Sequence, residues 1–441
     1  MSGRTVLPFD GALATGCALT AAVLWCVFVG VVLRSGLTRR LLDPGAATRC
    51  PERLPSLTVL VAARNESECI EGCIRSILAQ DYPGLRVVAI NDRSNDDTGE
   101  ILDRLAAEFP GTVVPVHVTD LPPGWFGKPH AMHLGMSRAR SELVCFTDAD
   151  CRFLSPSALR ATVAALVERR LDLLSLTPQY WMPTVWEKST VPCCSELMLS
   201  WYRPERANDP SSRVAFANGA FILMNREKLL GLGGWSAVAE RICEDLVLAK
   251  LAKRAGLRLG MDGSAGLLST RTYDKARDSW NGWSRIFTGG LSSGEIAASL
   301  VRMSLMFALP LAATLVGVGE LLFAGTTTRL TSAAGIAFGV CVALRVVMDA
   351  WMFRMVGSPL RYVVLAPLGR LFVMAALTRA LLSQLGFVRT TWRGAAFRGG
   401  RLVTPRPETI PSPHWPLAGQ TRSPQVAPAD DRRGSDARRS A

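Results

Sequence analysis

Between residues 57 and 148, short apolar runs alternate with segments of helical period; four long apolar runs lie on either side of that region. "LTVLVAARNE" (57–66) has the continuous apolar character of a buried strand and then breaks into polar residues. "SECIEGCIRSILAQ" (67–80) follows as a helix with a Ser cap, and it sets Cys69, Ile70, Cys73, Ile74, Ile77 and Leu78 on one face. "LRVVAIND" (85–92) predicts a second strand, "DDTGEILDRLAAEF" (96–109) a helix, and "TVVPVHV" (112–118) a third strand. "KPHAMHLGMSRAR" (128–140) predicts a helix leading into a fourth strand, "ELVCFTD" (142–148). This alternation specifies an α/β domain with a mostly parallel sheet. Ligands of such sheets bind beyond the carboxyl ends of the strands, where Asn65–Glu66, Asp92 and Asp148–Asp150 all fall.

The long runs change the setting. Residues 11–33 carry no charge and are long enough to cross a bilayer. A secretory signal fits less well, because "RSGLTRR" follows where a small-residue cleavage site is expected, so the run reads as a retained anchor. The others, about 299–323, 331–356 and 359–386, contain Arg302, Glu320, Arg345, Asp349, Arg370 and Arg379. At membrane depth such groups point into a bundle or polar cavity; soluble core helices are the alternative. The net charge of +13 would suit a nucleic-acid binder, but it is dispersed and accompanies no recognition motif. With a mean hydropathy of +0.20 it fits a membrane protein better, and no nucleic-acid partner is expected.

Arg34, Arg39 and Arg40 outnumber Arg4 across the first span, which places the following domain in the cytosol of a multi-pass protein of the inner cell membrane. Three full later spans would put the basic 389–401 segment outside, against the same rule. We therefore expect 359–386, interrupted by Pro359 and Pro367, to be re-entrant or interfacial. The resulting organisation is an anchor over 1–40, an α/β domain over 52–290, a membrane region over 291–388, a basic segment over 389–404 and a disordered tail over 405–441. Eleven cysteines without zinc spacing and four unclustered histidines argue for reduced thiols and against a zinc enzyme.

Chemistry concentrates in "LVCFTDADCRF" (143–153), where Asp148 and Asp150 stand one residue apart at a strand end. Like charges so close need a cation. Helix capping does not claim Asp150, since Ser155 and Pro156 already offer a cap and a first helical residue. The pair suits Mg²⁺ or Mn²⁺, with positions left open for diphosphate oxygens.

Together with "VAARNE" (61–66), "INDRSNDDTG" (90–99), "PPGWFGKPHAMHLG" (122–135), "ANGAFILMNREKLLGLGGW" (217–235), "CEDLVLAKLAKRAG" (243–256), "WNGWSRIF" (280–287) and "TWRG" (391–394), this segment resembles the membrane-bound family 2 glycosyltransferases. The likeness runs over about 55–400 and is nearest to bacterial members associated with hopanoid, carotenoid and ceramide-type lipid glycosylation. It implies a GT-A, Rossmann-like fold and a nucleotide-sugar donor. Asn65, Glu66 and Asp92 would hold base and ribose, Lys128 the donor phosphates, and Asp148 and Asp150 the metal. Asp245, or its neighbour Glu244, would act as base in an inverting transfer; the alternative for both is a first-turn acid favouring the helix dipole.

"WNGWSRIF" departs from the Q-x-x-R-W of processive members, since no Gln precedes Arg285 by three and no Trp follows it. That favours adding a single sugar to a lipid acceptor over polymer synthesis. Arg285 would stabilise diphosphate and Trp283 would shape the acceptor site, unless both belong to an interfacial belt. Trp392 and Arg393 are further acceptor or gating residues. A non-catalytic membrane subunit that keeps the fold for binding is the reading from another class.

Overall fold

The computed structural model describes residues 9–271, 273, 275–306, 308, 329–388, 390–392, 395–398 and 401–402. Strands β1 (Leu41–Leu42), β2 (Leu57–Ala63), β3 (Arg86–Asp92), β4 (Val113–Val118), β5 (Leu143–Asp148), β6 (Cys151–Phe153), β7 (Leu173–Thr177), β8 (Gln179–Trp181), β9 (Ile222–Asn225), β10 (Leu259–Ser264) and β11 (Leu268–Arg271) build two sheets. The larger has the order β1-β10-β7-β9-β5-β2-β3-β4. Only β9 runs against its neighbours, so the sheet is mixed but mostly parallel, as expected. A small sheet, β6-β11-β8, stands beside it.

The four strands expected from the apolar runs form, and they pair in register: Ala62 faces Asp148 across β2–β5, and Ala63 faces Asn91 across β2–β3. Nearly every residue of β2 is buried, as a strand covered on both faces requires. The helix after β2 is shorter than expected, Ile70–Leu78: Cys69, not Ser67, stands at its N-cap without a side-chain bond, and the Ser67 N–H donates to Asp96. The helix after β6 starts at Ala158 rather than at Pro156, with the Ser155 hydroxyl accepting from the Ser157 N–H at 3.3 Å.

Outside the sheet, the helix Val185–Trp201 opens on a capping box between Thr184 and Glu187. It packs against the helices Arg329–Val356 and Ala366–Gln384. Leu19–Leu37 and Leu360–Gln384 are long and apolar enough to cross a membrane. On Ala366–Gln384, Phe372, Val373, Ala376 and Leu377 are buried, while Leu368 and Leu371 are exposed. Of the expected 299–323 run, residues 307 and 309–323 fall outside the described residues, as do Arg393 and the 405–441 tail.

Of the ionisable groups expected inside a bundle, Glu320 lies outside the described residues and the others are engaged. Arg345 donates to both carboxylate oxygens of Glu196, at 2.8 and 2.6 Å, and also to Asp349, which Arg370 holds at 2.7 Å. Arg302 lies over the Phe28 ring at 4.9 Å, and Arg379 donates to Asn281.

Candidate active site

The crevice forms where the chain changes direction across the sheet: β3 and β4 lie on one side of β2, and β5 on the other. The exits of β2 and β3 are tied together. Asn65, at φ 55°, accepts from the Asn95 N–H at 2.8 Å, and the Glu66 N–H donates to Thr98 at 2.9 Å. Asn65 thus braces the loops rather than lining the cavity, whereas Glu66 does line it.

Asp92 is buried, accepts from the Arg93 Nε at 2.8 Å and lies under the first turn of the helix Gly127–Met136. A Cβ at Gly127 would come within 2.3 Å of its Oδ2, so only glycine lets the carboxylate reach that helix N-terminus. Lys128, the next residue, projects to the neighbouring exit. Its ammonium donates to Asp148 Oδ1 at 2.6 Å and pairs with Glu244 at 3.0 Å. Burial works against that charge, but Asp148, Glu244 and Asp245 outweigh it and hold the proton more firmly than in an ordinary lysine.

Asp245 opens the helix Glu244–Arg254, whose Leu246, Leu248, Ala249 and Ala252 are buried. Its carboxylate accepts from the N–H groups of Leu246 and Gly219, both at 2.8 Å. Burial and the charge of Glu244 nevertheless push its pKa up to about 6, against Lys128 and those two bonds. Gly219 is a residue to which the sequence alone assigned no role, although "ANGAF" was part of a motif. A Cβ there would meet Lys128 Nζ at 2.9 Å and Asp245 Oδ2 at 3.2 Å, so this backbone sits at the point where the functional groups converge.

Asp150 does not cap a helix; it accepts from the Thr270 hydroxyl at 3.2 Å. Burial, then Asp148 and Glu66, push its pKa up to about 7. Among the described residues no three His, Cys, Asp or Glu side chains form a ready-made metal cage. Asp148 and Asp150 are two oxygen donors with excess negative charge at the edge of a cavity. That donor set fits a hard divalent cation that takes its remaining ligands from water and phosphate.

The cavity is about 830 Å³. Arg285 and Trp283 line it. Arg285 donates to the Ile242 carbonyl at 3.3 Å, bracing the turn before Asp245, and Trp283 is buried with its ring 5.7 Å from that of Phe287. The lining also includes the apolar side chains of Leu41, Met198, Leu199, Met355 and Val356, together with Arg39 and Arg354. Trp392 lies in a separate antiparallel sheet, in the strand Thr390–Trp392.

Residues 55–272 match the family described as glycosyltransferase like family 2. A 4,4'-diaponeurosporenoate glycosyltransferase of Staphylococcus aureus is 26% identical over 237 residues, 53% of this chain; the alignment spans 61% of the relative's own length. Among solved structures, a mannosyltransferase from Pyrobaculum calidifontis in complex with GDP-Man and Mn²⁺ is 21% identical. It covers 82% of this chain and 99% of its own, with a TM-score of 0.48. A glucosyl-3-phosphoglycerate synthase from Mycobacterium tuberculosis, in complex with Mn²⁺, UDP and glucosyl-3-phosphoglycerate, is 19% identical over 54% of this chain and 79% of its own, with a TM-score of 0.38. The matched segment, residues 55–272, contains the stitched strand exits, Lys128, Gly219 and Asp245, so it is this α/β domain that is similar to the family 2 glycosyltransferases.

Proposed function

We propose that the chain moves one sugar from a nucleotide-diphosphate sugar, with UDP-sugars the first to test, to a hydroxyl of a membrane lipid in a single inverting displacement. One observation carries this reading: Lys128, Asp148 and Asp245 meet at Gly219, with Glu244 paired to Lys128, in a cavity whose lining also takes apolar side chains from the end of the helix Arg329–Val356. Asp245 takes the acceptor proton as the oxygen attacks the anomeric carbon, and Glu244 keeps Lys128 aimed into the cavity. Glu66 and Asp92 accept from base or ribose, on loops braced by Asn65. Lys128 and Arg285 face the diphosphate, and Trp283 shapes the acceptor end. Asp148 and Asp150 would hold Mg²⁺ or Mn²⁺, which when bound supplies Lewis-acid stabilisation of the leaving diphosphate.

An apolar acceptor agrees with the apolar side chains in the cavity lining and with the likeness to an enzyme named for 4,4'-diaponeurosporenoate. The long apolar helices and the basic residues after Leu37 support a cell-membrane location with the catalytic domain cytosolic. The direct test incubates membranes of expressing cells with labelled UDP-sugars. Label is expected in the organic extract; label found only in a water-soluble polymer overturns the lipid acceptor.

Two further outcomes follow from the geometry. Chelation is expected to abolish transfer, with Mg²⁺ or Mn²⁺ restoring it, and Asp150→Ala should weaken UDP binding measured by calorimetry with metal present. UDP affinity indifferent to chelator, with Asp150→Ala silent, would remove the metal from the reading. Gly219→Ala should leave folding intact, because a lysine tip can move aside, yet lower the transfer rate by about 10²-fold by displacing Lys128 and Asp245. Circular dichroism alongside the rate separates the two effects.

A further inference from the structure

On the other side of residues 39–41 lies a second cavity. Arg39 and Leu41 line the catalytic cavity, while Arg40 lines this one, as alternation along an extended segment requires. It is about 490 Å³, and Arg40, Arg169, Arg170 and Arg258 surround it. Arg169 is occupied, donating to Asp262 at 2.5 Å. The carboxylate lining the cavity, Glu168, is paired with Arg49 at 3.1 Å, and Asp172 accepts from the backbone N–H of Arg258. Lys253 adds a further cation behind the wall, bound to the carbonyls of Ala207 and Asp209. The side chains of Arg40, Arg170 and Arg258 are exposed and, among the described residues, engage no carboxylate. Three guanidiniums around one concavity repel one another unless an anion is present, and their planar forks match phosphate oxygens.

The cavity's position selects the source of that anion. It lies at the foot of the apolar helix that ends at Leu37, three residues before Arg40. Ser35 donates to Glu205 at 3.2 Å, which ties this helix end to the short helix Pro204–Ala207, next to Asn208 in the cavity wall. We propose that Arg40, Arg170 and Arg258 form a phosphate site at the membrane surface, taking the headgroup phosphate of an anionic phospholipid and seating the domain against the bilayer. The site is separate from the transfer chemistry and does not rest on it.

The test uses the full chain in detergent, with native mass spectrometry counting bound phosphatidylglycerol and with dioleoylglycerol, which lacks the phosphate, as control. The wild type should retain phosphatidylglycerol, and the Arg170→Gln, Arg258→Gln double variant should retain it about tenfold less or weaker still. Both side chains are exposed, so the melting temperature of the unliganded variant should be unchanged. A rise in melting temperature with inorganic phosphate, seen in the wild type and absent in the variant, shows that the phosphate group alone suffices. Retention of phosphatidylglycerol without that rise assigns the site to the lipid-borne group. Equal retention by wild type and variant, or no preference over dioleoylglycerol, overturns the proposal.

Discussion

Asp245→Asn is expected to lower sugar transfer by about 10²–10⁴-fold while UDP binding stays within a few-fold of wild type. The amide keeps the shape of the carboxylate and can still accept from the Gly219 or Leu246 N–H, so the turn before the helix should persist. What it loses is the capacity to take a proton. A pH profile makes the assignment specific. The base must be ionised to act, and its pKa is pushed up to about 6, so the wild-type rate should climb about tenfold per pH unit below 6 and flatten above it. The residual rate of Asp245→Asn should lack that limb. Loss of UDP binding in parallel with rate would instead mark Asp245 as a donor ligand, and a normal rate would remove it from the chemistry. Glu244→Gln separates its neighbour's role: with its carboxylate 3.0 Å from Lys128, its loss should weaken donor binding before it alters the pH limb.

Why Asp148 was visible in the sequence, while Gly219 was not, follows from how each is held. Strands β2, β3 and β5 are buried on both faces, so each reads as an unbroken apolar run that ends at the first residue the crevice solvates; the carboxylates mark those ends by themselves. Asp245 stands in the first turn of an amphipathic helix, a place where an acid is ordinary, and its role comes only from the family resemblance. The pairing of Lys128 with Asp148 depends on a helix returning across β3 and β2, which no local pattern states. A glycine required for close approach carries no side chain to betray it: Gly219 acquires meaning only from Lys128 and Asp245 on two other elements. The direction of β9 is equally silent, since a strand of three apolar residues and an Asn carries no mark of its direction, and that one strand makes the sheet mixed. The helix Val185–Trp201 did carry a local signal, Thr184 three residues before Glu187, but its buried Glu196 finds its partner 149 positions away.

That distant pair supports the second large effect. Arg345→Met is expected to destabilise the protein by about 3–5 kcal/mol, the usual cost of removing one partner from a buried ion pair. Glu196 and Asp349 are both buried, and Arg345 is the cation they share. Without it Asp349 keeps Arg370, but Glu196 loses its only ion pair among the described residues and retains just the longer-range attraction of Arg302. The attraction is local, but its consequence is not. Glu196 belongs to a helix that contributes Met198 and Leu199 to the catalytic cavity, and Arg345 to the helix whose end, Met355 and Val356, lines the same cavity. The pair therefore fixes the spacing of two faces between which an acceptor would lie. Thermal unfolding in detergent should show the loss, and adding Glu196→Gln to Arg345→Met should recover part of it, because the amide no longer buries an uncompensated charge. A double variant as unstable as the sum of its parts would mean that the two groups are not coupled, and that helix packing alone sets the width of the cavity.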